Sequence, residues 1–472
     1  MRIDLNTLHR KDDYFLVQNL DNGRDVVVSC DFPIEEWSDA SAFKRAKIHG
    51  YEPMTAKELE TEEVQDVRLN DANNYFEEKF DGTRALVYFL EDEQGGYCRV
   101  FSRRVSKKTG FYVENTDSLP QLKLIDEPEM AGTILDGEMF INGLPFKEVS
   151  STLNCLWDKA IDRQIEKGFI TFHAFDILFY HGIDLRKMPL HRRKVYLHLA
   201  VEESESDYIE EVKYYDCNTI RGLHFFAELN SRINGLYEDQ YLTELEEDKD
   251  KYPNLYAWWK NDVAFNPRAY YELIVSTGGE GLIVKPKDGR YLHKRGWEYS
   301  KIKKFLTRDL IVTGFSEPTK EYTGKEIKKW PYWIDKRDNT RNIGNFYGDK
   351  NYIPVTKYYF HNQVGVMRLG VLITPEEYEA MKPNKRGALA ETKHSTYLLM
   401  EVCECGGFDD ETRQYFTDHK DEIVGSVVEV KANELFRDSG KMRHPRYMRM
   451  RFDKEPERCI WRDHIGDSEV TK

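Results

Sequence analysis

One lysine in this sequence has neighbours whose types and spacing could support nucleophilic chemistry. Lys79 opens the pattern K-x-D-G-x-R within EEKFDGTRA, residues 77–85. A lysine nucleophile attacks as the neutral amine, but the nearby carboxylates of Glu77, Glu78 and Asp81 favour the charged ammonium. Cationic groups elsewhere in the chain must therefore oppose these carboxylates. The alternative is that the stretch is only a tight turn, since Asp-Gly is a common turn pair.

Cationic residues that could do this lie far along the chain. Lys301 and Lys303 in GWEYSKIKKF are two residues apart, so both side chains lie on one face of a strand, with Ile302 toward the core. The run RHPRYMRMRFDK alternates in the same way and places Arg449 and Arg451 on one face. The alternative for either run is a solvated strand whose charges protect an edge.

Three further stretches contain groups that suit a ligand site. ILDGEMF places Glu138 in a strand near a turn, and FHAFDIL places Phe175 between apolar neighbours. EGLIVKP places Glu280 at the start of a strand and Lys285 further along it. A phenylalanine is more often part of a core than of a ligand site. The joint order and spacing of these stretches, rather than any one of them, favours a shared site.

The elements that must position these residues fall into three parts. Residues 1–48 predict a small extension with a β-hairpin, since DNGRD separates YFLVQNL from VVVSC, and a short helix in DASAFKRAKI. Residues 49–305 mix strands and helices without a βαβ repeat, and include an acidic, tyrosine-rich insertion at about 200–270. Residues 306–472 contain short strands and one capped helix, TPEEYEAMK, which predicts a small β-barrel. The fold class is therefore α+β.

Composition restricts the class of protein further. The 472 residues predict two or three domains, and the net charge is −14. Basic residues nevertheless gather at Lys285–Lys304 and Arg437–Lys454, so the chain can carry a positive groove. No apolar run approaches the roughly 18–20 residues of a membrane span, and the N-terminus lacks the apolar segment of a signal peptide. We expect a cytoplasmic protein without a membrane partner.

Taken in order, these stretches resemble the nucleotidyltransferase superfamily of ATP-dependent DNA ligases, RNA ligases and mRNA capping enzymes. The resemblance covers six separated motifs from about Pro53 to Lys454, and YEPMTA is similar to the segment that opens a ligase adenylation domain. It implies an adenylation (nucleotidyltransferase) domain at 49–305 and an OB-fold domain at 306–472. It also implies a hinge near Lys304–Arg308.

The resemblance assigns Lys79 as the catalytic lysine that becomes adenylated. It implies that nucleotide or its cofactor is bound by Glu77, Arg84, Arg103, Glu138, Phe175, Glu280, Lys285, Lys301, Lys303, Arg451 and Lys454. Glu77 would lie against adenine, Phe175 would stack on it, and Arg84 would contact ribose or phosphate.

The remaining assignments concern phosphate and metal. Glu138 and Glu280 would bind Mg²⁺, and Arg103 would hold either the 5′-phosphate of a nick or the phosphates of ATP. Lys285 is the lysine of E-G-L-x-x-K, while Lys301 and Lys303 would contact the phosphates. In R-x-D-K, the motif formed by Arg451, Asp453 and Lys454 would orient pyrophosphate.

Within this superfamily the resemblance favours an ATP-dependent DNA ligase of phage or viral type. Glu280 stands where capping enzymes tend to have aspartate, and the C-terminal barrel with its R-x-D-K is absent from many RNA ligases. Such an enzyme uses ATP and Mg²⁺ to seal 5′-phosphate/3′-hydroxyl nicks in duplex DNA through lysyl-AMP, and would act as a monomer in the host cytoplasm. The alternatives are an RNA ligase, a capping-type guanylyltransferase, or a non-catalytic protein that binds nucleic acid.

One stretch of the barrel region has two interpretations. Residues 319–352 interleave basic residues with Trp330, Tyr332 and Trp333. Such interleaving is typical of a surface that tracks a nucleic-acid backbone and stacks bases on aromatic rings. The alternative is a long decorated loop with no ligand.

Overall fold

The structure is a computed structural model that divides the chain into two compact units, Met1–Lys303 and Lys304–Lys472. The helix predicted in DASAFKRAKI and residues 218–244 of the predicted insertion lie outside the described residues. Those are 3–11, 14–20, 23–28, 52–59, 61–93, 95–105, 112–217, 245–261, 265–324, 326–393 and 396–466.

The first unit combines three sheets with seven α-helices among its described residues. Its strands are β1 (Ile3–Lys11), β2 (Tyr14–Asn19), β3 (Asp25–Val28), β4 (Thr55–Glu58), β5 (Asn74–Lys79), β6 (Thr83–Asp92), β7 (Gly95–Val105), β8 (Tyr112–Glu114), β9 (Ile134–Phe140), β10 (Thr171–Tyr180), β11 (Ile183–Asp184), β12 (Ile209–Glu211), β13 (Tyr214–Tyr215), β14 (Gly281–Pro286) and β15 (Arg295–Lys303). Its helices are α1 (Glu62–Leu69), α2 (Pro120–Lys123), α3 (Phe146–Leu153), α4 (Trp157–Lys167), α5 (Leu190–Glu203), α6 (Pro253–Asn261) and α7 (Pro267–Ser276).

Two of these sheets form the body of the unit. The large sheet has the order β11-β10-β9-β6-β7-β8, with β12 added parallel to β10. The small sheet has the order β13-β5-β14-β15-β4. Helix α5 packs on the large sheet through Leu197 and Ala200, and α7 packs on the small sheet through Leu273 and Ile274. Each sheet therefore buries one face under helices, as an α+β domain must.

The third sheet, β1-β2-β3, belongs to the predicted extension. The predicted hairpin is present as β2 and β3, which pair antiparallel. Leu5, Leu8 and Val17 form a small core with Ile161 of α4, and Arg10 is 2.7 Å from a carboxylate oxygen of Asp162. The extension is thus attached to α4 by both apolar burial and charge.

The second unit is built on a β-barrel. Its strands are β16 (Leu306–Phe315), β17 (Tyr332–Asp335), β18 (Arg341–Ile343), β19 (Tyr352–Pro354), β20 (Met367–Ile373), β21 (Leu389–Ala390), β22 (Leu398–Cys405), β23 (Val427–Ala432), β24 (Glu434–Phe436), β25 (Lys441–Arg443) and β26 (Arg446–Met450). Its helices are α8 (Lys357–Phe360), α9 (Pro375–Ala380), α10 (Asp410–Asp418), α11 (Lys420–Ile423) and α12 (Trp461–Ile465). Thr374 and Glu377 form the predicted capping box of α9.

The barrel has the connectivity of an OB-fold. β16 pairs with β20 and β23, β20 pairs with β22, and β23 pairs with β26. A parallel bridge between Gly406 and Arg446 joins the end of β22 to the start of β26 and closes the ring. Helices α10 and α11 lie between the third and fourth barrel strands. The predicted α+β fold with an OB-fold barrel is confirmed.

The stretch 319–352 contributes most of a small subdomain inserted between β16 and β20. β17, β18 and β19 form its sheet, and Ile334, Val355 and Phe360 form its core. Trp330 stacks on Tyr322 with 3.6 Å between ring centroids, and its indole N–H donates to the carbonyl of Val355. Trp333 is buried. These indoles are structural, so the structure does not support the interpretation of them as base-stacking platforms.

A buried histidine should make the stability of the second unit depend on pH. His464 is 3% exposed, its Nε2–H donates to the carbonyl of Gly440, and burial lowers its pKa to about 4, with the charge of Arg308 acting in the same direction. Because the folded pKa lies below the unfolded value of about 6.5, the neutral imidazole stabilises the fold above pH 6.5. That contribution, up to about 3 kcal/mol, is lost as the pH falls toward 4.

We therefore expect His464→Gln to flatten the loss of unfolding free energy between pH 6.5 and 4.5, measured by urea denaturation. The exposed His361 offers the matched control, since His361→Gln should leave the pH dependence unchanged. An equally steep loss in the His464 variant would contradict this assignment.

Candidate active site

A cleft of about 810 Å³ lies between the large and small sheets of the first unit. Its lining includes nine of the predicted site residues, namely Glu77, Lys79, Arg84, Arg103, Glu138, Phe175, Lys285, Lys301 and Lys303. Glu280 contacts the same group through two lysines, as described next. The structure thus brings together residues that span more than two hundred positions of sequence.

Lys79 lies at the end of β5 beside Glu280. One Glu280 carboxylate oxygen is ion-paired with the ammonium of Lys79, and the other lies 2.8 Å from the ammonium of Lys303. Strand register explains this meeting, because Gly281 is opposite Lys79 on β5 and opposite Lys303 on β15. Gly281 has φ of +150°, and a Cβ there would collide with the carbonyl of Ile302. The carboxylate that holds Lys79 therefore comes from the residue directly before β14.

Lys301 adds a second positive group to the same face of β15. Its ammonium is 4.0 Å from a carboxylate oxygen of Glu58. Burial lowers its pKa, and the positive charges of Lys303 and Lys79 act in the same direction. Ile302 is 1% exposed and faces the core, as the alternation predicts. The structure therefore gathers three ammonium groups at one end of the cleft.

Glu77 shares a strand face with Lys79 but is occupied by other cations. It is 1% exposed, and its two carboxylate oxygens are 2.8 Å from the ammonium of Lys194 and 2.5 Å from that of Lys285. Both lysines are as deeply buried, and burial lowers the pKa of Lys285 to about 8. The charge of Glu77 is thus balanced inside the domain.

An aromatic wall lies beside this buried group. Phe175 of β10 has the ammonium of Lys285 4.6 Å from its ring centroid and the guanidinium of Arg84 at 5.0 Å. Arg84 is held by two hydrogen bonds to Asp136, of 2.9 and 2.6 Å. A half-buried ring flanked by fixed cations is suited to a planar, electron-rich ligand. Because Asp136 neutralises Arg84, the guanidinium acts here as part of the wall.

Glu138 and Arg103 lie at different depths of the cleft. Glu138 is half-buried, and burial raises its pKa to about 7; Lys79 and Arg84 oppose that shift, while Glu280 adds to it. Arg103 on β7 is exposed at the rim. The described residues contain no cluster of three or more metal-ligating side chains. Any metal at Glu138 and Glu280 would complete its coordination with ligand oxygens and water.

The last two predicted site residues belong to the second unit. Arg451 makes two hydrogen bonds of 3.0 Å to Asp309 of β16, and the ammonium of Lys454 is 2.9 Å from the same carboxylate. Arg451 also pairs with Asp453. Within its own unit, the R-x-D-K motif is therefore held against the barrel by Asp309.

Several residues of the site were not singled out from sequence. Asp136 lies two positions before Glu138, and Asp176 directly follows Phe175; each carboxylate binds an arginine, Arg84 and Arg193 respectively. Lys194, next to Arg193 on α5, binds Glu77. The available signal was the basic run Arg192–Lys194 inside a helix with apolar residues on both sides, since basic side chains on the buried face of a helix need carboxylate partners.

Comparison with known proteins finds similarity to DNA ligases. Residues 53–235 match the family model described as the ATP dependent DNA ligase domain. A DNA ligase of Archaeoglobus fulgidus is 27% identical over 244 residues, covering 50% of this chain and 33% of the relative. DNA ligase 2 of Methanosarcina acetivorans is 24% identical over 397 residues, covering 82% of this chain and 53% of the relative.

Among solved structures, a Lig E DNA ligase aligns with 84% of this chain and 98% of its own, at 16% identity and a TM-score of 0.43. In this chain an α+β unit with a cleft between two sheets precedes an OB-fold barrel. The chain is thus similar to DNA ligases over residues 53–235 by the family model, and over half or more of its length by the two archaeal relatives. It spans about a third to a half of the length of the two archaeal relatives. None of the helices in the described ranges has the length and apolar character needed to cross a bilayer.

Proposed function

We propose that this protein is an ATP-dependent DNA ligase that seals 5′-phosphate/3′-hydroxyl nicks in duplex DNA. The observation that carries the proposal is the position of Lys79, whose ammonium shares the Glu280 carboxylate with Lys303 inside a cleft of the ligase domain. A lysine in an enclosed site, next to further cations, suits attack on a phosphate.

In the first step, Lys79 attacks the α-phosphorus of ATP. The ammonium first gives a proton to water through the Glu280 carboxylate with which it is paired. A nitrogen–phosphorus bond then forms as the bond to the leaving pyrophosphate breaks. Lys301 and Lys303 neutralise charge on the phosphates. Phosphoryl-type transfer depends mainly on such positioning and electrostatics.

The second and third steps use the same cleft. AMP passes from Lys79 to the 5′-phosphate of the nick, and the 3′-hydroxyl then attacks that phosphate and releases AMP. Phe175 and the buried Glu77–Lys285 pair would form the adenine end of the site. Arg103 would hold phosphate at the rim, where it is exposed.

The donor set fits Mg²⁺. Glu138 and Glu280 supply carboxylate oxygens, and Mg²⁺ in nucleotide sites is commonly held by one or two carboxylates plus phosphate oxygens and water. Burial raises the pKa of Glu138, and the charge of Glu280 acts in the same direction. When bound there, the ion would supply charge neutralisation on the phosphates.

The test is to incubate the protein with α-labelled ATP and Mg²⁺, then to add a nicked duplex with a labelled 5′-phosphate. A ligase becomes labelled and joins the DNA strands. Sealing of nicked RNA alone would favour an RNA ligase, and labelling by GTP alone would favour a guanylyltransferase. Salt-dependent DNA binding without labelling would indicate a non-catalytic binding protein.

For the R-x-D-K motif, we expect Arg451→Ala to slow lysine adenylation at least about 10-fold, because one charge-assisted phosphate contact contributes roughly 1.5–3 kcal/mol. Sealing of a nick that already carries AMP should be unchanged. The comparison is a single-turnover assay of each step. Arg462, an exposed barrel arginine paired with Glu377, is the control position. Equal loss in both steps would contradict a role confined to the first.

A further inference from the structure

The inserted subdomain of the second unit has an exposed face that its fold does not explain. We define the insertion face by Lys328, Lys329, Ile343, Asn345 and Tyr347. Ile343 is 70% exposed and Tyr347 is 52% exposed, and both lysines are exposed. The subdomain has its own core elsewhere, in Ile334, Val355 and Phe360, so the insertion face is not needed to build it.

Two segments form this face side by side. The Asn345 side-chain amide donates to the carbonyl of Lys328 at 3.1 Å, and the backbone N–H of Gly344 donates to the carbonyl of Pro331 at 2.9 Å. Tyr347 follows in a turn closed by its N–H to the Asn345 side-chain oxygen. These bonds fix the two lysines and the tyrosine on one surface.

The charge of this surface points to an anionic partner. Residues 319–352 contain eight Lys or Arg against five Asp or Glu, in a chain whose net charge is −14. Within the described ranges Lys328 and Lys329 have no ion-pair partner, whereas Arg337 on the neighbouring turn is taken by Asp335. Cations left available beside an exposed aromatic ring suit a nucleic-acid backbone.

The position in the fold agrees with this chemistry. The subdomain interrupts the connection between β16 and β20, the first two barrel strands. In OB-folds the loop between the first two strands commonly takes part in oligonucleotide binding. The connection is here enlarged into a folded unit that presents the insertion face.

We propose that the insertion face binds the sugar-phosphate backbone of duplex DNA. Lys328 and Lys329 contact phosphates, and Tyr347 contacts the backbone through its ring and hydroxyl. This inference rests on the proposed ligase function and adds to it the surface that holds the substrate. In this proposal the subdomain recognises the charge of the DNA backbone through Lys328 and Lys329, and does not stack bases on Trp330 and Trp333.

The test measures binding of the full chain to a nicked duplex by fluorescence anisotropy over a salt series. Each lost phosphate contact lowers the slope of log K against log[salt] by about 0.9. We therefore expect Lys328→Ala/Lys329→Ala to lower that slope by about 1–2 and to raise Kd at least several-fold. The matched control is Lys159→Ala/Lys167→Ala on α4, which removes the same charge from exposed positions and should leave the slope unchanged.

Tyr347→Ala should raise Kd with little change of slope, and Tyr347→Phe should lie between it and wild type. Labelling by ATP without DNA should be unchanged in all these variants. A wild-type protein that is not labelled would contradict the ligase proposal, whereas the salt slopes of the variants test the insertion face alone. A wild-type slope in the double lysine variant would overturn the inference. So would a lower slope that the double lysine variant shows with duplex RNA but not with nicked duplex DNA.

Discussion

Lys79→Ala is expected to abolish covalent labelling of the protein by ATP that carries its label in the α-phosphate. Loss of a nucleophile removes the bond that defines the intermediate, so the decrease should be at least about 1,000-fold. Lys79→Arg should be equally inactive, because a guanidinium keeps its proton in proteins and cannot attack. The measurement is the label retained by denatured protein after a fixed incubation with ATP and Mg²⁺.

Two control positions separate this effect from general damage. Lys167 is an exposed lysine of α4 paired with Glu148, and Lys167→Ala should label as the wild type does. Lys303→Ala should slow labelling without abolishing it, because the nucleophile remains while one neighbouring charge is lost. Full labelling of Lys79→Ala would refute the assignment of the nucleophile.

Glu77→Gln is expected to cause the largest loss of stability among single substitutions in the cleft. It would remove the ion-pair partner of Lys194 and Lys285, each of which is 1% exposed. Removing one partner of a buried ion pair typically costs about 3–5 kcal/mol. The free energy of unfolding of the first unit, measured by urea denaturation at pH 7, should fall by that amount.

The control for this prediction is Glu166→Gln, an exposed glutamate of α4, which should change stability by less than about 0.5 kcal/mol. Combining Glu77→Gln with Lys285→Met should recover part of the loss, because one buried charge is then removed. An unchanged unfolding free energy in Glu77→Gln would mean that water or other groups compensate both lysines.

The local patterns that could be predicted from sequence are those with a strong period or turn signal. The alternation around Ile302 gives the correct face of β15, and Asn-Gly marks the hairpin of β2 and β3. The short strands and few helices expected after Phe305 predict the barrel, because short strands with few helices to cover them are typical of a small β-barrel. In each case the signal lies within one element.

The partners within the cleft could not be predicted in this way. Lys79 is ion-paired with Glu280, 201 positions further along the chain. The register of β5, β14 and β15 places Lys79, Glu280 and Lys303 around Gly281. Glu77 of β5 is ion-paired with Lys194 of α5, a helix that follows β11 in the chain. Periodicity specifies which face a side chain occupies, whereas strand register and helix placement decide what it meets.

The aromatic residues of the insertion illustrate the same limit. An interleaved basic and aromatic sequence is compatible with either a stacking surface or a small core. Trp330 and Trp333 donate their indole N–H groups to backbone carbonyls of their own subdomain. Whether these rings stack bases or pack inside the subdomain depends on the sheet of β17, β18 and β19. Its strands are too short to show a clear alternation in the sequence.

The central claim is that Lys79 is the group that carries AMP between ATP and a nicked duplex. Peptide mapping by mass spectrometry after incubation with ATP and Mg²⁺ tests it most directly, with a second sample chased by nicked DNA. We predict AMP on the peptide that contains Lys79, and its loss from that peptide as the strands become joined. AMP on a different residue, or AMP on Lys79 that nicked DNA does not remove, would contradict the account.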